Sequence, residues 1–551
     1  MKITVCLEGS EPVVKEYDSS VMIRDIAEEM QKDHPYRIVL ARFNRHEKPL
    51  TNLLTYDGTL ELLDIRDSSA RMCYQTSLLL LYIKAVHDLN GEADVRVNNS
   101  LSKGLFTTIR HVNPDEEFVR KVEKRMRDLV EQKLPITRAA YTREELMENL
   151  KLKGLDKVYE SMKLTPDLQN VKVYSLADEN ITFADELVPD TGYIDLFEVC
   201  QYKHGVLVRF PHPSAPSKIL PFEEQKLLYD AFSEETGWCH LTDVYVASDL
   251  NRAIMNDQAR DLIFMNEALH EKKIAAIAEE IAHSNKRIIL IAGPSSSGKT
   301  TFANRLCIQL KVAGLVPLYI GTDDYFVDRA DLVKGEDGEY DFEGLDAVDR
   351  ELMNRDINAL LEGKTVDIPS YNFKTGAKEF GRRITSLAPS QPIVVEGLHS
   401  LNPALTDHIP DEDKFRIYIS PLTQLNIDKY NRIPTTDARK LRRIVRDAQF
   451  RGYSAAATIH MWPKVSRGED KNIFPFNDLA DAFFNSQCIY ELAVLKKYAK
   501  PQLEKITDDQ PEFPEAQRLL KLLSYFVSLE RDDLIPNNSI IREFIGGSVI
   551  V

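Results

Sequence analysis

Apolar and polar positions fall into three successive patterns along this chain. Up to about residue 65 short β-type runs dominate. "KITVCLEG", "RIVLARFN" and "LELLDI" read as strands, and "VMIRDIAEEM" has the spacing of a helix. One compact sheet with one helix is the expectation. From about 66 to 270 the pattern is mixed. "NPDEEFVRKVEKRMRDLVEQK" predicts a helix, capped by Asn113 or Asp115, with Phe118, Val122, Met126 and Leu129 on one stripe. "YIDLFEVCQYKHGVLVRFPHP" reads as strand, loop and strand, stopped by prolines. "NRAIMNDQARDLIFMNEALHEKKIAAIAEEIAHSN" predicts one long helix leading into the third pattern. There, from about 286 to 551, the runs "RIILIAG", "VPLYIG", "PIVVEG" and "FRIYIS" are apolar throughout. Parallel strands covered on both faces look like this, so a doubly wound α/β sheet is expected.

The total of 551 residues is too long for one core and agrees with several domains. The 70 basic and 86 acidic residues leave a net charge of −16. That balance argues against a general polyanion-coating role, although a local basic patch for RNA stays open. Six cysteines without paired spacing imply reduced thiols and a cytoplasmic protein. "SLLLLYIKAV" is half the length of a membrane span and is interrupted by Lys84, and "MKITVCLEGSEP" is too polar for a signal peptide.

The densest chemistry follows "RIILIA". Residues Gly293, Pro294, Ser295, Ser296, Ser297, Gly298, Lys299 and Thr300 satisfy GxxxxGK[ST], and Thr301 continues the run. The glycines let successive N–H groups point inward at an anion, and the following helix adds its positive end. Lys299 is expected on the β- and γ-phosphates of ATP, and the Thr300 hydroxyl on Mg²⁺. Open α/β sheets bind ligands at the carboxyl ends of their strands. There "VPLYIGTDDYF" places Asp323 and Asp324, candidates for a base, and "PIVVEG" places Glu396, a candidate to support Mg²⁺. In "DARKLRRIVRD", Arg439, Arg442, Arg443 and Arg446 share one helical face. The face is either solvated or a mobile lid that lowers arginines onto the phosphates; in neither reading is it core.

With these motifs in order, residues 286–500 resemble the uridine kinase and phosphoribulokinase family. The resemblance rests on "GPSSSGKTT", "TDDYF", "YDFEGLDAVD", "IPSYNFKTGAK", "VVEGLHSL" and "DARKLRRIVRD". It implies Asp323 as general base on a sugar hydroxyl, Glu343 at the ribose, Tyr371 at the base and the four arginines at the phosphates. Gly376 stands where uridine and cytidine kinases usually carry a base-reading histidine, so kinase chemistry carries over further than base choice.

The front half resembles threonyl-tRNA synthetase. Residues 1–65 look like its TGS domain, a β-grasp module, and 66–270 like its second additional domain, an α+β editing-type domain, plus a helical connector. "NPDEEFVRKVEKRMRDLVEQK" and "YIDLFEVCQYKHG" carry that match. Cys200 and His204 keep half of the metal-holding pattern of such domains, while Arg71 and Gln75 replace the other half. A binding or regulatory module is therefore expected there, with RNA or an amino acid as possible ligand, and not hydrolytic editing. The expected activity is ATP-dependent, Mg²⁺-supported phosphorylation of a nucleoside 5′-hydroxyl by residues 286–551. Two alternatives are a nucleotide switch, for which "DFEG" at Asp341 matches DxxG although no NKxD follows, and an RNA-binding, translation-linked adaptor.

Overall fold

The structure is a computed structural model, and it describes residues 1–139, 143–152, 156–169, 171–332, 343–423 and 425–551. In the first segment, Lys2–Leu7 alternates so that Ile3, Val5 and Leu7 face inward. It pairs antiparallel with Val13–Glu16 and parallel with Gly58–Asp64. Ile38–Phe43 and His46–Lys48 complete a five-stranded mixed sheet. Helix Ile23–Gln31 buries Ile23, Ile26 and Ala27. Val13–Glu16 was not anticipated: its side chains are mostly exposed, so only pairing at the sheet edge makes it a strand.

The second segment is built round helix Ser68–Leu89. Its Asp67 cap accepts from the N–H groups of Ser69 and Ala70. The run "SLLLLYIKAV" lies in this helix and is buried inside the protein. Among the described residues, no helix is long and apolar enough to cross a membrane. Helix Glu116–Glu131 is capped by Asp115, which accepts from the Phe118 N–H at 2.8 Å, and it buries Val122, Met126 and Leu129. Glu198–Tyr202 and Gly205–Arg209 form the expected hairpin, which joins Gly104–Arg110 and Asp94–Leu101 in an antiparallel sheet. The single connecting helix is corrected to two, Ala247–Met255 and Ala259–Ser284. Asn256-Asp257 makes a turn between them, with Asp257 at φ +60°, which an apolar-spacing argument does not see.

The third segment contains five parallel strands: β1 (Ile288–Ala292), β2 (Leu318–Gly321), β3 (Ile393–Glu396), β4 (Lys414–Ser420) and β5 (Ala482–Asn485). Their order is β2-β3-β1-β4-β5, all parallel. The four predicted runs are all strands; β5, only "AFFN", is too short to carry a periodicity. Ile289 and Ile291 enter one apolar layer and Ile288, Leu290 and Ala292 the other, as a doubly covered sheet requires. β1 is where the chain's progress across the sheet reverses, with β3 on one side and β4 on the other. The crevice at its carboxyl end is the expected ligand position.

The segments share core. Met162, Leu168 and Val173 pack in the layer of Ile289, while Leu101, Phe106 and Leu207 pack in the layer of Ile288. Main-chain bonds join them as well. The Val97 N–H donates to the Lys429 carbonyl at 3.0 Å, and the Asn431 amide bridges Ala184 N and Thr182 O.

Candidate active site

The phosphate loop leaves β1 and enters helix α1 (Lys299–Val312). Gly298 has φ +82°, and a Cβ on Gly293 would lie 2.1 Å from the Ile419 carbonyl oxygen, so both positions need glycine. The Lys299 ammonium donates to the Pro294 carbonyl at 3.2 Å, folded back over the loop. The Ser296 and Ser297 hydroxyls are buried with no hydrogen-bond partner among the described residues.

Two strand-end carboxyls, Asp323 and Glu396, and Glu343 from the loop before helix Arg350–Leu361 lie near this ammonium. Glu396, at the end of β3, lies 3.4 Å from the Thr300 hydroxyl, which donates to it, and accepts from the Tyr319 hydroxyl at 3.0 Å. Burial pushes its pKa up to about 7, against the pull of Lys299. Asp323, after β2, is exposed to the cleft, yet the protein crowding that cleft raises its pKa; Lys299 opposes this and Asp324 adds to it. Asp324 is held by Arg383 at 2.6 Å, which leaves Asp323 as the open carboxylate of the pair. Burial likewise raises Glu343, with Arg443 opposing; the Arg443 guanidinium stands 3.9 Å away. An oxygen-rich set that burial leaves short of positive charge suits a hard divalent cation, and Thr300 with Glu396 are the residues that would hold Mg²⁺.

The arginine helix α2 (Thr435–Arg446) corrects the expectation that this face is never core, and with it the solvated reading. Ala438, Leu441 and Ile444 are fully buried, and Arg439 and Arg442 are among the largest fully buried side chains of the protein. The reason is that each charge has buried partners. Arg442 pairs with Glu491 at 2.5 Å and donates to the Ser486 carbonyl at 2.8 Å and the Ser296 carbonyl at 3.4 Å. Arg439 pairs with Glu469 and donates to the Ser295 carbonyl at 2.9 Å. Arg443 donates to the Ser295 hydroxyl at 3.0 Å. Arg446 pairs with Asp447 at 2.9 Å, and none of its hydrogen bonds among the described residues goes to the loop. The stripe does face the phosphate loop, but as its packed wall.

Tyr371 lies on the side of Phe326, three residues after Asp323, with ring centroids 5.6 Å apart. Phe373 closes the aromatic group at 5.1 Å, and the buried Tyr371 hydroxyl has no hydrogen-bond partner among the described residues. At Gly376 the Arg329 side chain fills the space: a Cβ there would meet the Arg329 Cβ at 2.8 Å. Asp341 of the DxxG match lies outside the described residues. In the second segment the Cys200 thiol points to the Leu207 carbonyl and His204 bonds the Tyr229 hydroxyl at 2.7 Å. Gln75 lines a cavity of about 200 Å³ where all three segments meet, together with Glu47, Arg432 and Lys521.

Sequence reasoning missed two carboxylates on the loop. Glu469, in helix α3 (Ala455–Asn472), accepts from the Ser295 N–H at 2.9 Å. Glu543, near the C-terminus, accepts from the Thr301 hydroxyl at 2.6 Å. Neither sits in a motif, and both arrive from far along the chain, so no local signal could have found them.

A sequence profile described as "Phosphoribulokinase / Uridine kinase family" matches residues 288–492. A uridine kinase of Staphylococcus aureus (strain JH9) is 30% identical over 196 residues, 35% of this chain and 84% of that protein. The chain belongs to the phosphoribulokinase / uridine kinase family. A uridine kinase of Staphylococcus haemolyticus is similar at 29% identity over 183 residues, 33% of this chain and 78% of that one. Among solved structures, a "possible uridine kinase" from Bacillus stearothermophilus aligns with 20% identity and a TM-score of 0.27, over 39% of this chain and 97% of that one. The family match stops at residue 492 and begins at 288, so it covers the phosphate loop, the strand-end carboxyls and the arginine helix and leaves the front half outside.

Proposed function

We propose that this protein transfers the γ-phosphoryl group of ATP to a primary hydroxyl, the 5′-hydroxyl of a nucleoside. One observation carries the reading. Glu396 reaches the Thr300 hydroxyl at 3.4 Å, and Gly321, just before Asp323, pairs with Glu396 across β2 and β3. Arg443 joins Ser295 at 3.0 Å to Glu343 at 3.9 Å, so the metal-supporting, base and sugar-contact candidates stand round the phosphate loop. Family membership supports it. Loop amides and Lys299 would bind the triphosphate, and Asp323 would orient the acceptor hydroxyl and take its proton. Mg²⁺, held by Thr300 and Glu396, would neutralise charge on the phosphates. Arg443, which reaches the Ser295 hydroxyl at 3.0 Å and Glu343 at 3.9 Å, would face the transferring group, with Arg439 and Arg442 keeping the loop in shape and Arg446 at the far end. Because phosphoryl transfer runs through a loose transition state, positioning and charge carry most of the rate.

The acceptor end is the aromatic group of Tyr371, with Glu343 at the sugar. For the front half, the sheet order and the single packed helix support a TGS-like β-grasp unit at 1–65. The helix-and-sheet unit that follows supports an editing-like binding or regulatory module over 66–270, joined to a kinase domain at 286–551. A panel of nucleosides and sugar phosphates incubated with ATP and Mg²⁺, scored for phosphorylated product, tests the activity. No product from any hydroxyl acceptor, with ATP bound, would sink it. Binding of RNA fragments or free amino acids to the full chain tests the front half.

A further inference from the structure

Carboxylates of this chain already engage the loop donors that a phosphate would use. Ser295 gives its N–H to Glu469 at 2.9 Å. Thr301, in the first turn of α1, gives its N–H at 3.3 Å and its hydroxyl at 2.6 Å to one oxygen of Glu543. The two carboxylates are not equivalent. Glu469 is 1% exposed and clamped by Arg439, so it belongs to the wall. Glu543 is only half-buried, on the four-residue helix Arg542–Ile545 close to the C-terminus and beyond the stretch shared with the family.

The segment carrying Glu543 is pressed onto the loop. Ile540, Ile541 and Phe544 are fully buried. A Cβ on Gly298 would stand 2.5 Å from Ile540, and the Arg442 guanidinium lies 5.0 Å from the centre of the Phe544 ring. A carboxylate on the N–H and O–H groups at the start of a helix has the charge and hydrogen-bonding character of a phosphate oxygen.

We infer that the C-terminal segment is a built-in competitor for the nucleotide: Glu543 holds the Thr301 donors and has to leave before a phosphate takes them. The inference rests on the reading of the loop as a nucleotide site. Its consequence is a tax on affinity. Apparent ATP binding is weakened by the fraction of molecules in which Glu543 is docked. Any event that lifts residues 539–546 from the loop therefore activates the protein, and bound nucleotide frees that segment in return.

Calorimetric titration of the full chain with MgATP tests this. Glu543→Gln and Glu543→Ala should bind roughly 10-fold or more tighter than wild type, the scale of a lost charge-assisted contact. Glu530→Gln, an exposed charge change on the same stretch, should bind as wild type does. Hydrogen exchange on the wild-type protein gives a second reading that needs no variant: saturating MgATP should speed exchange across residues 539–546. Equal or weaker binding by both Glu543 variants, or unchanged or slower exchange there, overturns the competitor while leaving the nucleotide site standing. Absence of MgATP binding in wild type and variants alike overturns both.

Discussion

Replacing Arg442 by methionine separates a buried strut from a catalytic lid. Arg442 and its partner Glu491 are both completely inaccessible to solvent, with an N–O separation of 2.5 Å. Methionine keeps most of the volume and removes the charge. Glu491 would retain only the Cys488 N–H, at 3.0 Å, among the partners recorded for its Oε2, and its charge would stay buried. Breaking one side of such a pair destabilises by about 3–5 kcal/mol, whereas replacing both sides by apolar groups is often neutral. The carbonyls of Ser486 and Ser296 also lose a donor, at about 1 kcal/mol or less each because backbone relaxation recovers part. The expectation is about 3–5 kcal/mol for Arg442→Met and substantial recovery in Arg442→Met/Glu491→Leu. The assay is urea denaturation followed by a probe on the third segment, with the two singles and the double completing a cycle. A single variant within about 1 kcal/mol of wild type that has nevertheless lost turnover would refute the strut and restore the lid.

Lys299→Ala should lower kcat/KM at least as much as Asp323→Asn in a product-formation assay with MgATP, since in the proposed site one ammonium would serve the phosphates beside all three carboxyls; comparable turnover by Lys299→Ala and wild type would count against the site. Glu396→Gln should raise the Mg²⁺ concentration for half-maximal activity by roughly 10-fold or more, on the scale seen when metal-supporting partners are removed, with protein folding unchanged by circular dichroism. Burial first, then Arg305 and Arg442, hold His270 down at a pKa of about 3, so the folded protein keeps it neutral. The unfolded chain takes a proton below the ordinary value near 6.5 and the folded one does not, so stability falls as pH drops from there towards 3. Between pH 6.5 and 5 the His270 share is roughly 1.5 kcal/mol. Unfolding free energies of wild type from urea titrations should fall by that much more than those of His270→Gln over the same interval, and parallel pH profiles would contradict the assignment.

What could be read without coordinates was local. Four strands of the parallel sheet are continuous apolar runs, and burial on both faces is the physical cause of that pattern, so sequence and fold report the same fact. The phosphate loop is equally legible, because glycine at 293 and 298 answers to a backbone approach and a positive φ that no other residue accepts at low cost. Asp323 and Glu396 follow from their places at strand ends. The arginine stripe shows where such reading stops. Four like charges on one helical face look solvated because their neutralising partners, Glu469, Glu491 and Asp447, are invisible as partners until the chain has folded. The pairing of Asp324 with Arg383, some sixty residues on, is likewise invisible in the motif that implied Asp323.

Residue type and spacing by themselves determined that a phosphate-gripping loop lies between a buried strand and a helix, and which strand ends supply carboxyls to it. Tertiary structure alone decided which charges are buried and paired, and that Glu543 returns from the end of the chain to the first turn of that helix. The physical reason is that backbone preferences are set within a few residues, whereas the state of a charge depends on everything that folding packs against it.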